Sequence, residues 1–188
     1  MRKIIVGMSG ASGAIYGIRL LEALKPMNDV ETHLVMSPSA CRTIIEETDL
    51  TVDYVRELAD VVYPHGDIGA AISSGSFRTD GMIVAPCSIK SLSGIVNSYD
   101  DNLLTRAADV CLKERRTLIL MVREAPLHLG HLELLVRAAQ YGAIVLPPAP
   151  AFYNRPLTVN DIVNHSVGKV LDQLKVPHAL FKRWKENA

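Results

Sequence analysis

Short apolar runs alternate with amphipathic segments from one end of the chain to the other. The mainly apolar runs are typical of buried strands and lie at 3–6, 31–36, 82–85, 117–122 and 143–146. The segments between them have apolar residues at helical spacing, which predicts helices at 15–24, 38–47, 53–59, 89–96, 103–115, 132–141 and 159–174, and a tail helix at about 178–188. Strands that alternate with helices in this way form a parallel sheet with helices on both faces. The pattern therefore predicts a single α/β domain over residues 1–188.

This fold class also predicts where a ligand binds. In parallel sheets of this kind, ligands lie at the carboxyl ends of the strands. The segments that follow the predicted strands should therefore share one edge, and they are 7–13, Ser37, 86–91, 123–124 and 147–153. Residues 63–80 are rich in glycine, serine and alanine and have no clear period, so we expect a long surface loop there.

The first of these segments is the glycine loop, Gly7-Met8-Ser9-Gly10-Ala11-Ser12-Gly13-Ala14. Its glycines allow a sharp turn that brings the N-terminus of the next helix close to an anion such as a phosphate. An ordinary strand-to-helix turn whose serines cap the helix is the alternative. The loop lacks the Walker ending and the Gly-x-Gly-x-x-Gly spacing, and no acidic residue follows the second strand. These features favour a mononucleotide over a dinucleotide.

Composition and charge narrow the function classes. The 188 residues include 20 Lys and Arg and 20 Asp and Glu, so no overall charge would attract nucleic acid or an anionic membrane. The three cysteines are widely spaced and odd in number, which is typical of reduced thiols rather than of disulfides or a zinc site. No apolar run is long enough to span a bilayer. We therefore expect a cytoplasmic protein without nucleic-acid or membrane partners.

Two further segments at the predicted edge carry candidate chemistry. Residues 88–91, Ser-Ile-Lys-Ser, begin a helix directly after a strand, so this N-terminus and that of the glycine loop could share one phosphate. Capping of the helix by Ser88 explains the same sequence. Arg123 and Glu124 place adjacent opposite charges at the exit of a buried strand, where a ligand would stabilise them. An exposed salt bridge between the two is the alternative.

Charged residues on the predicted helices are more ambiguous. Arg106 and Lys113 lie seven residues apart on one helix face, where both could point at a phosphate. Alternatively, Asp109 and Lys113 form an ion pair at the i,i+4 spacing. Glu47, at the end of its helix, is either a proton-transfer group or a surface carboxylate.

The remaining candidates each have a structural alternative. Tyr153 either closes the site or anchors its own loop, and Lys169 either reaches the same edge or pairs within its own helix. Cys87 is either a nucleophile or, as its position after a strand favours, a small buried residue. His128 and His131 have the spacing of a metal pair, but no further ligands accompany them, so we predict no metal site.

Seven segments, taken in order, resemble those of a known family. They are Gly-Met-Ser-Gly-Ala-Ser-Gly-Ala at 7–14, Ser-Ser-Gly-Ser-Phe-Arg-Thr-Asp-Gly-Met at 73–82, Ala-Pro-Cys-Ser at 85–88, Arg-Ala-Ala-Asp-Val at 106–110, Lys-Glu-Arg-Arg at 113–116, Arg-Glu-Ala-Pro at 123–126 and Pro-Ala-Phe-Tyr-Asn-Arg-Pro at 150–156. Together they resemble the UbiX family of flavin prenyltransferases over nearly the whole chain. Residues 73–82 are most similar to the phenolic acid decarboxylase branch of that family.

The resemblance implies a fold, an assembly and a reaction. The fold would be a three-layer, flavodoxin-like (Rossmann-like) parallel sheet, assembled as a homododecamer with FMN at a subunit interface. The family joins the dimethylallyl group of dimethylallyl monophosphate to reduced FMN without a metal, and the prenylated FMN serves a UbiD-type decarboxylase of phenolic acids. The non-catalytic alternative is an FMN-binding accessory subunit of a decarboxylase complex. FMN-dependent decarboxylases of cysteine residues share the fold, but their Pro-x-Met-Asn signature is absent from 147–150.

Matching positions imply roles for individual residues. FMN would be bound by Gly10, Ala11, Ser12, Ser37, Ser88, Ile89, Lys90, Ser91, Arg106 and Arg123. Dimethylallyl phosphate would be bound by Tyr153, Lys169, Lys113, Arg123 and Glu124. The catalytic residues would be Ser12, Glu47, Glu124 and Lys113, with Ser12 and Glu47 handling the proton of the flavin nitrogen. Some relatives carry arginine at the position of Lys169, where lysine offers a point charge in place of a planar fork.

Overall fold

The computed structural model describes residues 1–185. The strands in that range are β1 Arg2–Met8, β2 Val30–Met36, β3 Val61–Tyr63, β4 Gly81–Cys87, β5 Thr117–Val122 and β6 Ile144–Val145. The helices are α1 Ala14–Leu24, α2 Pro38–Glu47, α3 Val52–Glu57, α4 Ile89–Val96, α5 Leu103–Lys113, α6 Leu129–Gln140 and α7 Val159–Gln173, with one 3₁₀ turn at Ala71–Ser73. None of the helices in this range is long and apolar enough to cross a membrane.

The six strands form one parallel sheet in the order β3-β2-β1-β4-β5-β6. The order reverses between β1 and β4, and in doubly wound sheets a ligand crevice opens at such a point. Helices α1 and α7 pack on one face of the sheet, and α4, α5 and α6 pack on the other. The chain therefore has the predicted three-layer, flavodoxin-like α/β fold.

Burial on both faces explains why the strands were detectable as apolar runs. In β1, Ile4 and Val6 are buried beneath α1 and α7, whereas Ile5 is buried on the opposite face. In β5, Ile119 is buried on the same face as Ile4 and Val6, and Leu120 is buried on the same face as Ile5. Successive side chains of a strand point to opposite faces, so a strand covered on both faces must be apolar at every position.

The edge strand β3 was not predicted. Its three residues pair with His33–Val35 of β2, and Val62 is 40% exposed. Its apolar run, Val61-Val62-Tyr63, is only three residues long, which is shorter than the roughly four to eight residues from which a strand is recognised in a sequence. The long connection predicted at 63–80 therefore begins at the end of a strand.

The predicted tail helix is absent from residues 178–185, which form turns and bends. Helix α7 ends in a left-handed residue, Lys175, with φ of 54°, and this conformation reverses the chain direction. Pro177 follows and cannot continue a helix from the preceding turn. Residues 186–188 of the predicted helix lie outside the described residues.

Candidate functional site

A cavity of about 880 Å³ lies at the carboxyl edge of the sheet, where the strand order reverses. Of the predicted FMN-binding residues, Gly10, Ser37, Ser88, Lys90 and Ser91 line it. The described lining also includes Ser9, Pro38, Ser39, His65, Ser93, Gly94, Asn97, Tyr99, Asp101, Asn102 and Thr105. The structure thus brings together the segments that follow β1, β2 and β4, as the edge rule predicted.

Three helices begin at this cavity, and each has a capped N-terminus. The caps are Ser37 for α2, Ser88 for α4 and Asn102 for α5, and each side-chain oxygen accepts from the backbone N–H three residues later, at 3.0, 3.2 and 3.1 Å. Helix N-termini carry positive partial charge, so three of them around one cavity favour an anionic ligand. Ser88 is therefore both a cap and part of the cavity wall.

Ser9 links two of these segments. Its side-chain hydroxyl donates to the Pro86 carbonyl oxygen at 2.8 Å and accepts from the Ser88 backbone N–H at 2.7 Å. Ser9 is 2% exposed, so both hydrogen bonds are shielded from water. Because its donor and acceptor are both satisfied, Ser9 fixes the glycine loop to the start of α4.

The N-terminus of α1 holds a carboxylate of the protein itself. Glu47, at the end of α2, accepts hydrogen bonds from the backbone N–H groups of Gly13 at 2.8 Å and Ala14 at 3.1 Å. Gly13 adopts a φ of 100°, a left-handed conformation that favours glycine. Glu47 therefore takes the place that an anion could take at α1, and a phosphate shared by α1 and α4 is not needed to explain the α1 terminus.

Ser12, Glu47 and Arg123 form one interacting group beside the cavity. The Arg123 Nε donates to the Ser12 carbonyl oxygen at 3.1 Å. Partial burial alone would raise the pKa of Glu47, but hydrogen bonds from Ser12, Gly13 and Ala14 and the charge of Arg123 outweigh it and lower the pKa. Glu47 is therefore ionised at neutral pH and bonded to the Ser12 hydroxyl. This arrangement suits proton transfer.

Tyr153 and Lys169 belong to a second cluster, at α7. The Tyr153 hydroxyl lies 2.8 Å from Nε2 of His165. Burial and then the positive charge of Lys169, one turn further along α7, lower the pKa of His165. The structure thus brings two predicted donor-binding residues together around a histidine that the sequence did not indicate.

Lys113 and Arg106 do not reach the cavity within one chain. Lys113 is the last residue of α5 and comes just before β5, so it lies at the edge where the strands begin, opposite the carboxyl edge that holds the cavity. Its side chain pairs with Glu114. Arg106 pairs with Asp100 and Asp109, at 3.2 Å each. The interpretation that both cations point at one phosphate is therefore wrong for the single chain, and Asp109 pairs with Arg106 in place of Lys113.

The other predicted residues lie near the edge without lining the cavity. Glu124 is exposed, and its carboxylate accepts from the Ala125 backbone N–H at 3.1 Å. Arg123 turns towards Ser12 instead of Glu124. Ala11 is buried and Ile89 is half-buried. Neither is among the described residues that line the cavity.

Cys87 is a structural residue. It is fully buried, and burial raises the pKa of its thiol to about 12, so it stays protonated at neutral pH. The interpretation of Cys87 as a small buried residue is confirmed. In residues 1–185, no group of three or more His, Cys, Asp and Glu is arranged to hold a metal ion.

Sequence reasoning missed several residues of the site for different reasons. Asn102 directly precedes a predicted helix, so its cap position was a readable signal. Ser9 was visible only as part of the glycine loop. His65 and His165 carry no local signal, because their places depend on contacts with Leu103 and Tyr153 that are remote in sequence.

Comparisons with known proteins show the family to which the chain belongs. The family described as Flavoprotein matches residues 1–171. Over 187 residues, the chain is 59% identical to the flavin prenyltransferase UbiX of Escherichia coli (strain K12), covering 98% of this chain and 99% of that protein. A crystal structure of AnUbiX in complex with FMN and dimethylallyl pyrophosphate is similar with a TM-score of 0.96 and 48% identity, covering 98% and 97% of the two chains. A dodecameric FMN-dependent UbiX-like decarboxylase from Escherichia coli O157:H7 also gives a TM-score of 0.96, with 54% identity over 97% and 99%.

Proposed function

The chain belongs to the UbiX family of flavin prenyltransferases, and on this premise we propose that it transfers the dimethylallyl group of dimethylallyl monophosphate to reduced FMN. The observation that carries the proposal is the Ser12, Glu47 and Arg123 group beside a cavity at which three helices begin. The group offers a proton acceptor and a cation, and the cavity offers a site for an anionic mononucleotide.

The residues around the cavity suit FMN. A volume of about 880 Å³ falls within the range of ligand pockets, roughly 300–1,000 Å³. Ser37, Ser88 and Ser91 supply hydroxyl groups, and Lys90 supplies a positive charge for a phosphate. We assign these residues to FMN together with Gly10. For Ala11, Ile89, Arg106 and Arg123 the assignment rests on the family resemblance.

Ser12 and Glu47 are assigned to proton transfer. Reduced FMN supplies the nucleophilic ring positions to which the allyl group is joined. Glu47 is ionised throughout the neutral range, so its carboxylate is free to accept a proton, and its hydrogen bond with the Ser12 hydroxyl connects it to the glycine loop. Arg123 holds the Ser12 backbone in place through its bond to the carbonyl oxygen.

The prenyl donor needs cations around its phosphate. Cleavage of the allyl–phosphate bond leaves negative charge on the phosphate, and fixed cations and hydrogen-bond donors stabilise that charge. We assign Tyr153, Lys169 and Arg123 to this phosphate, with Glu124 beside it. Lys113 can contribute to a site only if that site belongs to another copy of the chain, because in its own chain it lies at the edge of the sheet opposite the cavity.

The assembly and the partner follow from the same premise. We propose a homododecamer, as in the dodecameric relative from Escherichia coli O157:H7. Helix α6 offers a surface for such contacts, since it exposes an apolar stripe in which Leu129 is 70%, Leu132 45% and Val136 55% exposed. The product would pass to a UbiD-type decarboxylase of phenolic acids. Three unpaired cysteines suit a reducing compartment, so we place the reaction in the cytoplasm.

The proposal is tested anaerobically with purified protein, reduced FMN and dimethylallyl monophosphate. Mass spectrometry of the released flavin is expected to show an adduct heavier by one dimethylallyl unit. Glu124→Gln should abolish the adduct, whereas Glu57→Gln, which changes an exposed carboxylate at the end of α3, should leave it unchanged. Tightly bound but unmodified FMN would overturn the transferase and support the accessory subunit.

A further inference from the structure

His165 lies against Tyr153 and is almost wholly buried. Its Nε2 is 2.8 Å from the Tyr153 hydroxyl, and the two rings meet edge to face with centroids 5.5 Å apart. Phe181 also packs on the imidazole, with 4.7 Å between ring centroids. His165 is 5% exposed, whereas Tyr153 is 46% exposed. The imidazole is therefore fixed by its neighbours, and Tyr153 is a partly exposed residue whose hydroxyl lies at the imidazole.

The surroundings of Nδ1 determine whether His165 or Tyr153 donates the hydrogen bond between them. Nδ1 of His165 is buried and has no hydrogen-bond partner among residues 1–185. A neutral imidazole carries its proton on one nitrogen only. A proton on Nδ1 would bury an N–H group without an acceptor, whereas a proton on Nε2 leaves only an unused lone pair, which folded proteins tolerate better. The proton therefore belongs on Nε2, and the Tyr153 oxygen accepts it.

The surrounding charges keep His165 neutral. Burial and the charge of Lys169 lower the pKa of His165, and Asp172 opposes this shift. Asp172 is itself engaged by the residues that follow α7, since it accepts from His178 at 3.0 Å and from Arg183 at 2.7 Å. His165 therefore carries a single ring proton at neutral pH.

We propose that His165 is a positioning residue, whose Nε2–H donates to the Tyr153 oxygen and so leaves the phenol proton free to donate to the phosphate of the prenyl donor. The proposal rests on the proposed function. A hydroxyl that already accepts a hydrogen bond has a fixed orientation and becomes a stronger donor. His165 should therefore act on the binding of the prenyl phosphate and leave FMN binding unchanged.

A set of variants separates this role from a packing role. His165→Leu removes the donor and keeps an apolar side chain, and it should raise KM for dimethylallyl monophosphate roughly three- to tenfold, the range for one hydrogen bond. His165→Gln keeps an amide N–H near the position of Nε2 and should restore most of the loss. In a Tyr153→Phe background, His165→Leu should raise KM no further. FMN affinity should be the same in all of these variants.

Two outcomes of this set would overturn the proposal. One is an equal increase in KM with and without the Tyr153 hydroxyl, because His165 would then act independently of it. The other is a loss of FMN affinity or of the dodecamer in His165→Leu, with no restoration in His165→Gln. Either outcome would make His165 a packing residue.

A measurement without turnover tests the tautomer directly. Solid-state NMR of the assembled protein, labelled with ¹⁵N-histidine, reports which ring nitrogen carries the proton, and the His165→Gln spectrum identifies the His165 signals. We expect a protonated Nε2 and a bare Nδ1. A protonated Nδ1 would overturn the proposal even if prenyl transfer is observed. If transfer is absent and Nε2 is protonated, the proposed function fails while the His165 to Tyr153 hydrogen bond stands.

Discussion

The carboxylate of Glu47 has two contacts that both depend on its negative charge. It completes the N-terminus of α1 through the backbone N–H groups of Gly13 and Ala14, and it accepts from the Ser12 hydroxyl. The same charge stabilises the helix terminus and, in the proposed reaction, would accept the proton. At the scale of single residues, structure and proposed chemistry are therefore coupled in one side chain.

Glu47→Gln is expected to lower kcat for prenyl transfer by at least about tenfold, because an amide does not accept a proton. The matched control is Glu46→Gln, since the neighbouring carboxylate is exposed and pairs with Arg42 at 2.7 Å. That change should alter kcat by less than about twofold. The flavin-adduct assay measures both, and equal losses in the two variants would contradict the assignment of Glu47.

The stability contributed by Glu47 should depend on pH. Its pKa is lowered in the folded protein, so the carboxylate stabilises the fold above its unfolded pKa, and this contribution is lost as the pH falls through the lowered value. The native protein should therefore have a higher thermal midpoint than Glu47→Gln at neutral pH. The difference should shrink in acid, below the ordinary glutamate pKa of about 4.3. A difference that stays constant into acid would contradict this prediction.

At the scale of elements, the cavity depends on how the ends of β1, β2 and β4 are held together. Ser9 ties the glycine loop to the start of α4 through its two hydrogen bonds. Gly10 allows the same loop to approach α2, since a Cβ at Gly10 would lie 2.3 Å from the Cβ of Ser39. The loops are therefore held in place before any ligand binds, which lowers the entropic cost of binding.

Ser9→Ala should leave the partly buried Ser88 backbone N–H without a partner. The Pro86 carbonyl loses the Ser9 hydroxyl but keeps the hydrogen bond from the Ser9 backbone N–H, at 3.2 Å. The expected cost is about 1–3 kcal/mol of stability, together with weaker FMN binding. Ser93→Ala is the control, because Ser93 lines the same cavity but its hydroxyl bonds the exposed side chain of Asn97. Thermal unfolding and flavin fluorescence titration measure the two effects. Similar losses in both variants would show that Ser9 has no special role.

At the scale of the whole molecule, the predicted site residues lie at two opposite edges of one sheet. Lys113 precedes β5 and Arg123 follows it, and the six residues of that strand span about 20 Å. One chain therefore cannot bring Lys113 to its own Arg123. If Lys113 takes part in the reaction, each site is completed by a neighbouring copy.

Mixed assemblies test this arrangement. Lys113→Ala and Glu47→Gln should each lower activity strongly when expressed alone. Co-expressed subunits, isolated through two different affinity tags, should regain activity, because some sites then combine an intact Glu47 with a neighbour's intact Lys113. Assemblies of Lys113→Ala with the double variant serve as the control, since they contain no intact Lys113. No recovery in the mixed assemblies would exclude a role for Lys113 in a neighbour's site.

Local chemistry made much of the fold predictable. The cap Ser88 acts within one helical turn, and the sequence indicated this capping role. The place of residues 88–91 at the cavity was predictable, because a helix that directly follows a parallel strand begins at the carboxyl edge of the sheet. The tail helix failed for the opposite reason, since turn residues such as Lys175 and Pro177 redirect the chain despite the helical composition after them.

Apart from β3 and the tail, the sequence by itself determined the alternation of strands and helices, the edge proposed for the ligand and the family, because periodicity, caps and motifs depend on neighbouring residues. Only the tertiary structure decided that Glu47 bonds the N-terminus of α1, that His165 lies against Tyr153, and that Lys113 and Arg123 lie at opposite ends of β5. These relations join residues far apart in the chain. They depend on how the elements pack, and no local pattern encodes that packing.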